Sequence, residues 1–311
     1  MGSNAGNETT NDYEETLVNY VNSLGYTTQR NWTGRGSETL SQLIRRYDYS
    51  GAKARLIPST PGYHRVHDNT QPARLVGHLA LRDAIRRFAP TPDAIHPAVC
   101  QVSSIGSLSK KYLLEFQTSI ESGLARQYPK AGDVASDQSL RFKLVFPTMK
   151  EIFGAMGGIM QGGCVCGSKR NVSADVLRPL WHKWAANSAS GPLEKPKNVP
   201  HIKSFFQTNR EQDGFDWLVI GSHNLSTAAW GSVKKNDAKH GGGDCIYVKS
   251  WELAVFLSPQ TLGVDKLLLW GNDNGGSGRT ATVPLPYKIN PDPYDSNDEP
   301  WTAENIMQGM Q

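Results

Sequence analysis

The sequence predicts an α/β domain built on a mixed β-sheet with helices packed against it. Short apolar runs rich in β-branched residues, each bounded by turn residues, alternate along the chain with amphipathic stretches of helical spacing. Such alternation is typical of layered proteins in which helices cover a sheet. The 311 residues are enough for a sizeable core, and no segment is long enough to be a convincing linker, so we expect one domain.

Seven runs are predicted as strands because each is short, apolar and flanked by residues that favour turns. They are 54–59, 99–104, 142–146, 201–206, 217–222, 245–249 and 253–257. The last strands lie close together along the chain, which favours antiparallel pairing in part of the sheet. We therefore expect a mixed sheet of about seven strands.

Helices are predicted between most of these strands. The clearest is 72–88, where Leu75, Leu79, Leu81 and Ile85 recur near helical spacing. Other predicted helices are 13–22, 38–47, 110–124 and 174–187, with one short helical turn at 265–270. These segments supply the layers expected to flank the sheet.

The two ends of the chain differ from its body. Residues 1–11 are expected to be a disordered lead-in, residues 12–288 the folded domain, and residues 289–311 an acidic tail that packs back through Trp301. Residues 1–15 and 291–311 hold nine acidic residues and no basic one, so the overall charge of +4 conceals a body, 16–290, with 33 bases and 20 acids. A charge of +13 favours a polyanionic partner such as nucleic acid, although a solvated basic surface would have the same composition.

Composition also excludes several classes of protein. No apolar run approaches the ~18 residues of a membrane span, and the first residues lack the basic and apolar regions of a secretory signal. The close cysteines, Cys164 and Cys166, form a C-x-C pair without the second pair that a structural zinc site needs. We therefore expect reduced thiols, no metal, no cofactor and no membrane partner.

The chemistry of the chain is concentrated in two neighbouring segments. His201 and Lys203 are two residues apart on a predicted strand, so their side chains would point to the same face. An ammonium can balance phosphate charge while an imidazole exchanges a proton or attacks phosphorus. By itself H-x-K is a weak motif, since many such pairs lie on ordinary surfaces.

The second segment strengthens this interpretation. The predicted strand 217–222 ends in a turn that leads to a helix-like stretch, and Asn224 and Ser226 lie in that turn. A strand-to-helix turn presents free backbone N–H groups that suit an anion. Both side chains could equally serve only as helix caps.

The two segments together resemble the phospholipase D superfamily and, in detail, its tyrosyl-DNA phosphodiesterase branch. The chain has PHIKSFF at 200–206 and GSHNLSTAAWG at 221–231, and Thr208 stands where most of the superfamily has an aspartate. Further similar segments are STPG at 59–62, SSIGSL at 103–108, WHKW at 181–184, SWELAVFLSP at 250–259 and PLPY at 284–287. The resemblance runs from about residue 12 to residue 301 and implies a phospholipase D-like α-β-α sandwich.

This resemblance implies a nuclear DNA-repair enzyme that releases a topoisomerase tyrosine from a DNA 3′-phosphate through a phosphohistidine, without a metal. The family uses two H-K-N half-sites, and here His201, Lys203 and Asn224 match the second one, with His201 as general acid/base. Glu252 matches an acid that orients an active-site histidine. The DNA-contact residues it implies are Ser103, Ser104, Ser107, Ser226 and Thr227, and the family often has lysine where Thr227 stands.

The half that carries the nucleophile is missing, because no other histidine is followed by lysine two residues later. The missing amino-terminal half-domain is therefore an expected partner, beside the DNA end with its phosphotyrosyl peptide, and we expect the chain alone to have little or no turnover. Two alternatives stay open. One is a phospholipase D-like nuclease that forms a homodimer, and the other is a non-catalytic DNA-binding fragment.

Overall fold

The computed structural model describes residues 12–25, 38–66, 74–90, 96–122, 139–184, 198–235, 237–240, 242–272, 278–302 and 304. The expected lead-in at 1–11 lies outside these residues, and so does the carboxyl-terminal end of the tail. The domain limits taken from the sequence therefore stay a prediction.

Nine helices and twelve strands are present in the described part of the chain. The helices are α1 (Tyr13–Asn22), α2 (Leu40–Ile44), α3 (Gly77–Phe88), α4 (Lys110–Ile120), α5 (Met149–Phe153), α6 (Ile159–Gly162), α7 (Lys169–Val172), α8 (Thr227–Trp230) and α9 (Pro259–Leu262). The strands are β1 (Arg55–Ser59), β2 (Gly62–Arg65), β3 (Val99–Gln101), β4 (Lys143–Val145), β5 (Trp181–His182), β6 (Lys203–Thr208), β7 (Gly214–Gly221), β8 (Ser232–Lys234), β9 (Cys245–Val248), β10 (Glu252–Leu257), β11 (Lys266–Leu269) and β12 (Thr280–Val283).

The predicted α/β fold is confirmed, with a mixed main sheet of nine strands instead of about seven. Its order is β1-β10-β7-β6-β3-β4-β5, and β11 also pairs with β7 and carries β12. The pairs β3–β4, β4–β5 and β11–β12 are parallel, and the other pairs in this sheet are antiparallel. Strands β2, β9 and β8 form a second, three-stranded sheet.

Each face of the main sheet buries its own apolar cluster, since successive side chains of a strand point to opposite faces. On one face, Phe205 and Trp217 pack with Phe116 and Trp230 under α3 and α4. On the other face, apolar side chains of β3, β4, β6 and β7 pack with β11, Leu285 and Tyr287. Among the described helices, none is long and apolar enough to span a membrane.

Two sequence predictions of local structure are wrong. The predicted helix 174–187, as far as residue 184 where the described part ends, is a 3₁₀ turn at Asp175–Leu180 followed by β5, because Pro179 disrupts a regular helix and Trp181 pairs with Leu144. The predicted helical turn at 265–270 is β11, in which Leu267 pairs with Phe215. The predicted strand 245–249 is confirmed as β9, which belongs to the small sheet.

The tail is held against the domain by its aromatic side chains. Trp301 is fully buried, and its indole N–H lies 3.0 Å from the carbonyl oxygen of Gly162 and 3.2 Å from that of Val165. Tyr294 stacks on Trp181 and donates its hydroxyl to the Phe146 carbonyl oxygen. The Trp301 hydrogen bonds hold the tail against the turn between α6 and α7, and the Tyr294 contacts hold it against β5 and the end of β4.

Candidate functional site

One edge of the main sheet collects the ends of several neighbouring strands. Lys203, the first residue of β6, lies opposite Gly221 at the end of β7, and Gly221 lies opposite Ala254 near the start of β10. Glu252 in turn lies opposite Ser59, the last residue of β1. Antiparallel pairing thus brings residues that are far apart in the sequence to one edge.

Gly221 is needed for this close arrangement of strands. A Cβ atom added to it would overlap the main chain and side chain of Ala254. The glycine of the G-S-x-N segment therefore allows β7 and β10 to approach where the turn begins. The turn then carries Ser222, His223 and Asn224 over the edge.

Asn224 joins this turn to the serine loop that follows β3. Its side-chain oxygen accepts hydrogen bonds from the backbone N–H of Ser103 at 3.1 Å and of Ser104 at 2.9 Å. Two backbone donors fix the orientation of the amide, because its nitrogen could not accept them. The oxygen is thereby occupied, and the N–H donors are what the amide can offer to an anionic ligand.

Lys203 lies at the centre of the edge and is almost fully buried, with 6% of its surface exposed. Its Nζ donates a 2.6 Å hydrogen bond to the main-chain oxygen of His201. Burial lowers the pKa of Lys203, while the nearby Glu252 carboxylate acts in the opposite direction. A partly desolvated ammonium of this kind interacts strongly with an anion that reaches it.

His201 is exposed and lies just before β6, not within it. The predicted strand 201–206 is therefore two residues too long at its start, and strand alternation does not explain the placement of the imidazole. The contact that does place residue 201 beside Lys203 is the hydrogen bond from the lysine to its carbonyl oxygen. Exposure leaves the imidazole free to meet a ligand from solvent.

Glu252 is half-buried at the start of β10. Burial raises its pKa, and the Ser222 hydroxyl and the Lys203 ammonium oppose that rise. The carboxylate thus lies within electrostatic reach of Lys203. We refer to His201, Lys203, Asn224 and Glu252 together as the sheet-edge site.

The predicted DNA-contact residues differ in how exposed they are and in the hydrogen bonds they already make. Ser103 is buried, Ser104 is half-buried and Ser107 is exposed. The Ser226 hydroxyl caps α8 by accepting from the Ala229 N–H at 3.1 Å, which is the capping role that the sequence left open. Thr227 is the first residue of α8 and is half-buried.

The C-x-C pair lies near Lys203 and the serine loop. Cys164 and Cys166 are both exposed, and both interact electrostatically with Lys203. The Cys166 N–H donates to the Ser103 carbonyl oxygen at 2.8 Å. A contact across some 60 residues leaves no local sequence signal, so the C-x-C motif by itself does not predict it.

His223, inside the same motif, has a structural environment. It is buried, stacks on Trp230 with ring centroids 4.1 Å apart, and its Nε2 lies 3.1 Å from the Ser59 hydroxyl oxygen. Burial lowers its pKa to about 3, so the imidazole is neutral at physiological pH. This contact ties the turn to the end of β1.

A second polar group lies deep between α3, α4 and the small sheet. His78 Nδ1 lies 2.8 Å from the Ser119 hydroxyl and its Nε2 lies 3.1 Å from the Glu115 carboxylate, which also accepts from the Val233 N–H at 2.7 Å. Burial opposes ionisation of Glu115, but these bonds and the Lys234 charge hold its pKa below the usual range. We call His78, Glu115 and Ser119 the sealed histidine cluster.

A groove of about 670 Å³ lies between α7 and the tail and is lined by residues such as Lys169, Arg178, Tyr294 and Asp298. It contains none of the predicted site residues. Volume alone therefore does not select a candidate site, and the sheet edge is the candidate because polar groups from several strands lie there.

Comparison with known proteins gives one consistent family. Residues 2–295 match the family model described as tyrosyl-DNA phosphodiesterase. "Tyrosyl-DNA phosphodiesterase 1" from Arabidopsis thaliana is 26% identical over 93% of this chain, and its counterpart from Drosophila melanogaster is 28% identical over 85%. The alignments cover 50% and 43% of those proteins, so the chain spans about half the length of the curated relatives it matches.

Solved structures give the same fold. The yeast tyrosyl-DNA phosphodiesterase superposes with a TM-score of 0.62 at 16% identity, over 93% of this chain and 65% of the yeast one. A variant of the same yeast enzyme gives a TM-score of 0.63 at 17% identity. With the family model matching almost the whole sequence and the sheet superposing on the yeast fold, this chain belongs to the tyrosyl-DNA phosphodiesterase family.

Proposed function

We propose that the chain is the second catalytic half of a DNA-repair phosphodiesterase that separates a topoisomerase tyrosine from a DNA 3′-phosphate. The observation that carries the proposal is that Lys203, Glu252 and the turn bearing Asn224 lie at one sheet edge, with His201 exposed just before β6. Ammonium and amide donors suit a phosphate, and an accessible imidazole suits proton transfer. The basic body fits the same substrate, and the proposal includes a nuclear location for the enzyme.

In this proposal Lys203 and Asn224 bind the phosphate oxygens, and they stabilise the charge that develops on them during displacement. His201 gives a proton to the departing tyrosine oxygen and then accepts one from the attacking water. The histidine that attacks phosphorus and becomes phosphohistidine belongs to the half-domain that this sequence does not contain. Glu252 holds a histidine in the required orientation through a carboxylate–imidazole bond.

A gel assay with a 3′-phosphotyrosyl oligonucleotide tests the proposal. The purified chain alone is expected to give little or no release, because a nucleophile that acts as part of a unit is absent. Adding the amino-terminal half of a tyrosyl-DNA phosphodiesterase in trans is expected to restore metal-independent release. In that mixture His201→Asn should lower the rate about 10²–10⁴-fold, and His96→Asn, outside the site, serves as the matched control.

Two results would contradict the proposal. Robust release by the chain alone, rising with the fraction of dimer measured by size-exclusion chromatography, would support the homodimeric nuclease. Salt-dependent DNA binding with no release in the complemented mixture would support the non-catalytic fragment.

A further inference from the structure

The C-x-C turn stands at the rim of the sheet-edge site, and its two thiols differ from the other two in the chain. Cys164 and Cys166 are exposed, whereas Cys100 and Cys245 are buried. Cys164 Sγ lies 3.0 Å from the Gln161 carbonyl oxygen, which holds it on the same short turn as Cys166. The Lys203 ammonium lies within electrostatic reach of both sulfurs, so the two thiols border the place where a phosphate would bind.

The turn is also connected to the groups that would bind phosphate. Cys166 donates its N–H to the Ser103 carbonyl oxygen at 2.8 Å, and the Ile105 N–H reaches the Cys166 carbonyl oxygen at 3.4 Å. The N–H groups of Ser103 and Ser104 in turn hold the Asn224 side chain. A change in the backbone at Cys166 therefore reaches the Asn224 amide through two consecutive sets of hydrogen bonds.

The residue between the two cysteines resists such a change. Val165 is buried, and its carbonyl oxygen accepts from the Trp301 indole. Residues two apart lie at most about 7 Å from each other, which is compatible with the Cα separation of a disulfide, and a bond between the sulfurs would rotate the main chain on either side of Val165. Exposed disulfides are readily reduced and are typical of reversible regulation.

We propose that a hydroperoxide converts Cys164 and Cys166 into a reversible intramolecular disulfide that weakens binding of a DNA 3′-phosphate at the sheet-edge site. One thiolate attacks the terminal peroxide oxygen and becomes a sulfenic acid, with release of an alcohol or of water. The second thiol displaces the sulfenic oxygen as water and forms the S–S bond. The two thiols supply the two electrons that reduce the peroxide, and a soluble dithiol reverses the step.

The effect on DNA rests on the proposed function, whereas formation of the disulfide does not. The test treats the whole folded chain with hydrogen peroxide, blocks free thiols and digests after lysine, so that residues 151–169 form one peptide with both cysteines. We expect this peptide to lose two hydrogens and to regain them with dithiothreitol. Cys164→Ser and Cys166→Ser should abolish this change, and Cys245→Ser should retain it.

Binding of an oligonucleotide with a 3′-phosphate is then measured for reduced, oxidised and re-reduced chain. We expect at least threefold weaker binding after oxidation and recovery with dithiothreitol. Met156 and Met160 are exposed in the same region, but a methionine sulfoxide is not reversed by dithiothreitol, and its effect would persist in the serine variants.

Three outcomes would overturn the inference. The first is a peptide that keeps two free thiols, and the second is one that proceeds to irreversible acids. The third is a disulfide that leaves DNA binding unchanged. If the reduced chain does not bind the 3′-phosphate at all, the proposed function fails, and the mass measurement still decides whether the disulfide forms.

Discussion

The sheet-edge site and the sealed histidine cluster contain similar side chains in opposite situations. Both combine a histidine with a glutamate and a further polar side chain. In the sealed cluster both imidazole nitrogens of His78 and an oxygen of Glu115 have protein partners. At the sheet edge His201 is exposed and the Asn224 amide keeps donors for a ligand. Unused hydrogen-bonding capacity at an accessible place, more than residue identity, separates a candidate site from a stabilising cluster.

The largest effect is expected when a buried hydrogen-bonding partner is removed from the sealed histidine cluster. Glu115→Ala leaves His78 and the Val233 N–H without their buried partner and should lower the free energy of unfolding by about 3 kcal/mol. Urea denaturation followed by fluorescence measures this. Glu121→Ala, which breaks a pair with the exposed Arg141, should cost less than about 1 kcal/mol. Equal losses in the two variants would contradict the distinction drawn here, as would weaker binding of the 3′-phosphate oligonucleotide by Glu115→Ala.

At the sheet edge we expect a substitution to weaken ligand binding and to leave the free energy of unfolding almost unchanged. Lys203→Met removes a charge-assisted contact to phosphate worth about 1.5–3 kcal/mol, so binding of a 3′-phosphate oligonucleotide should weaken about 10- to 100-fold. The free energy of unfolding should change by less than about 1 kcal/mol, because methionine relieves the burial of an ammonium and fills similar space. Lys249→Met, at the exposed end of the small sheet, is the control. Unchanged binding with lost stability would assign Lys203 to structure.

The third prediction concerns pH. His223 has a folded-state pKa of about 3, below its ordinary value of 6.5, so the unfolded state takes up a proton that the folded state does not. Stability is therefore full above about pH 6.5 and is lost as the pH falls toward 3. Between pH 7 and pH 5.5 this group should remove about 1 kcal/mol from the free energy of unfolding.

His223→Phe keeps a ring against Trp230 and should remove that part of the pH dependence. Urea midpoints at the two pH values, measured for both proteins, provide the comparison. An identical pH dependence in the variant would show that other groups cause it.

The smallest expected effect is an increase in affinity for DNA. Thr227→Lys adds a cation beside the sheet-edge site and should strengthen DNA binding about threefold, with one more counterion released in the salt dependence. Binding titrations at several salt concentrations give both numbers. A gain without a steeper salt dependence would argue against a new phosphate contact.

Local patterns predicted much of the fold because strands such as β6 and β7 are apolar and bounded by turn residues. They failed where pairing with distant residues decided the structure. The Leu267 run had no strand signal strong enough without its partners Phe215 and Ala281, and β5 is only two residues long. For the same reason, the H-x-K and G-S-x-N segments identified candidate residues, but the bonds from Ser103 and Ser104 to Asn224 required the folded chain.

The buried indole of Trp301 has a practical consequence for anyone who shortens this protein. A version that stops at residue 300 would retain every residue of the sheet-edge site but would lose the anchor beneath the loop that flanks it. Such a protein could fold and still bind its ligand poorly. Boundary choice at the carboxyl end should therefore be judged by ligand affinity as well as by yield or melting temperature.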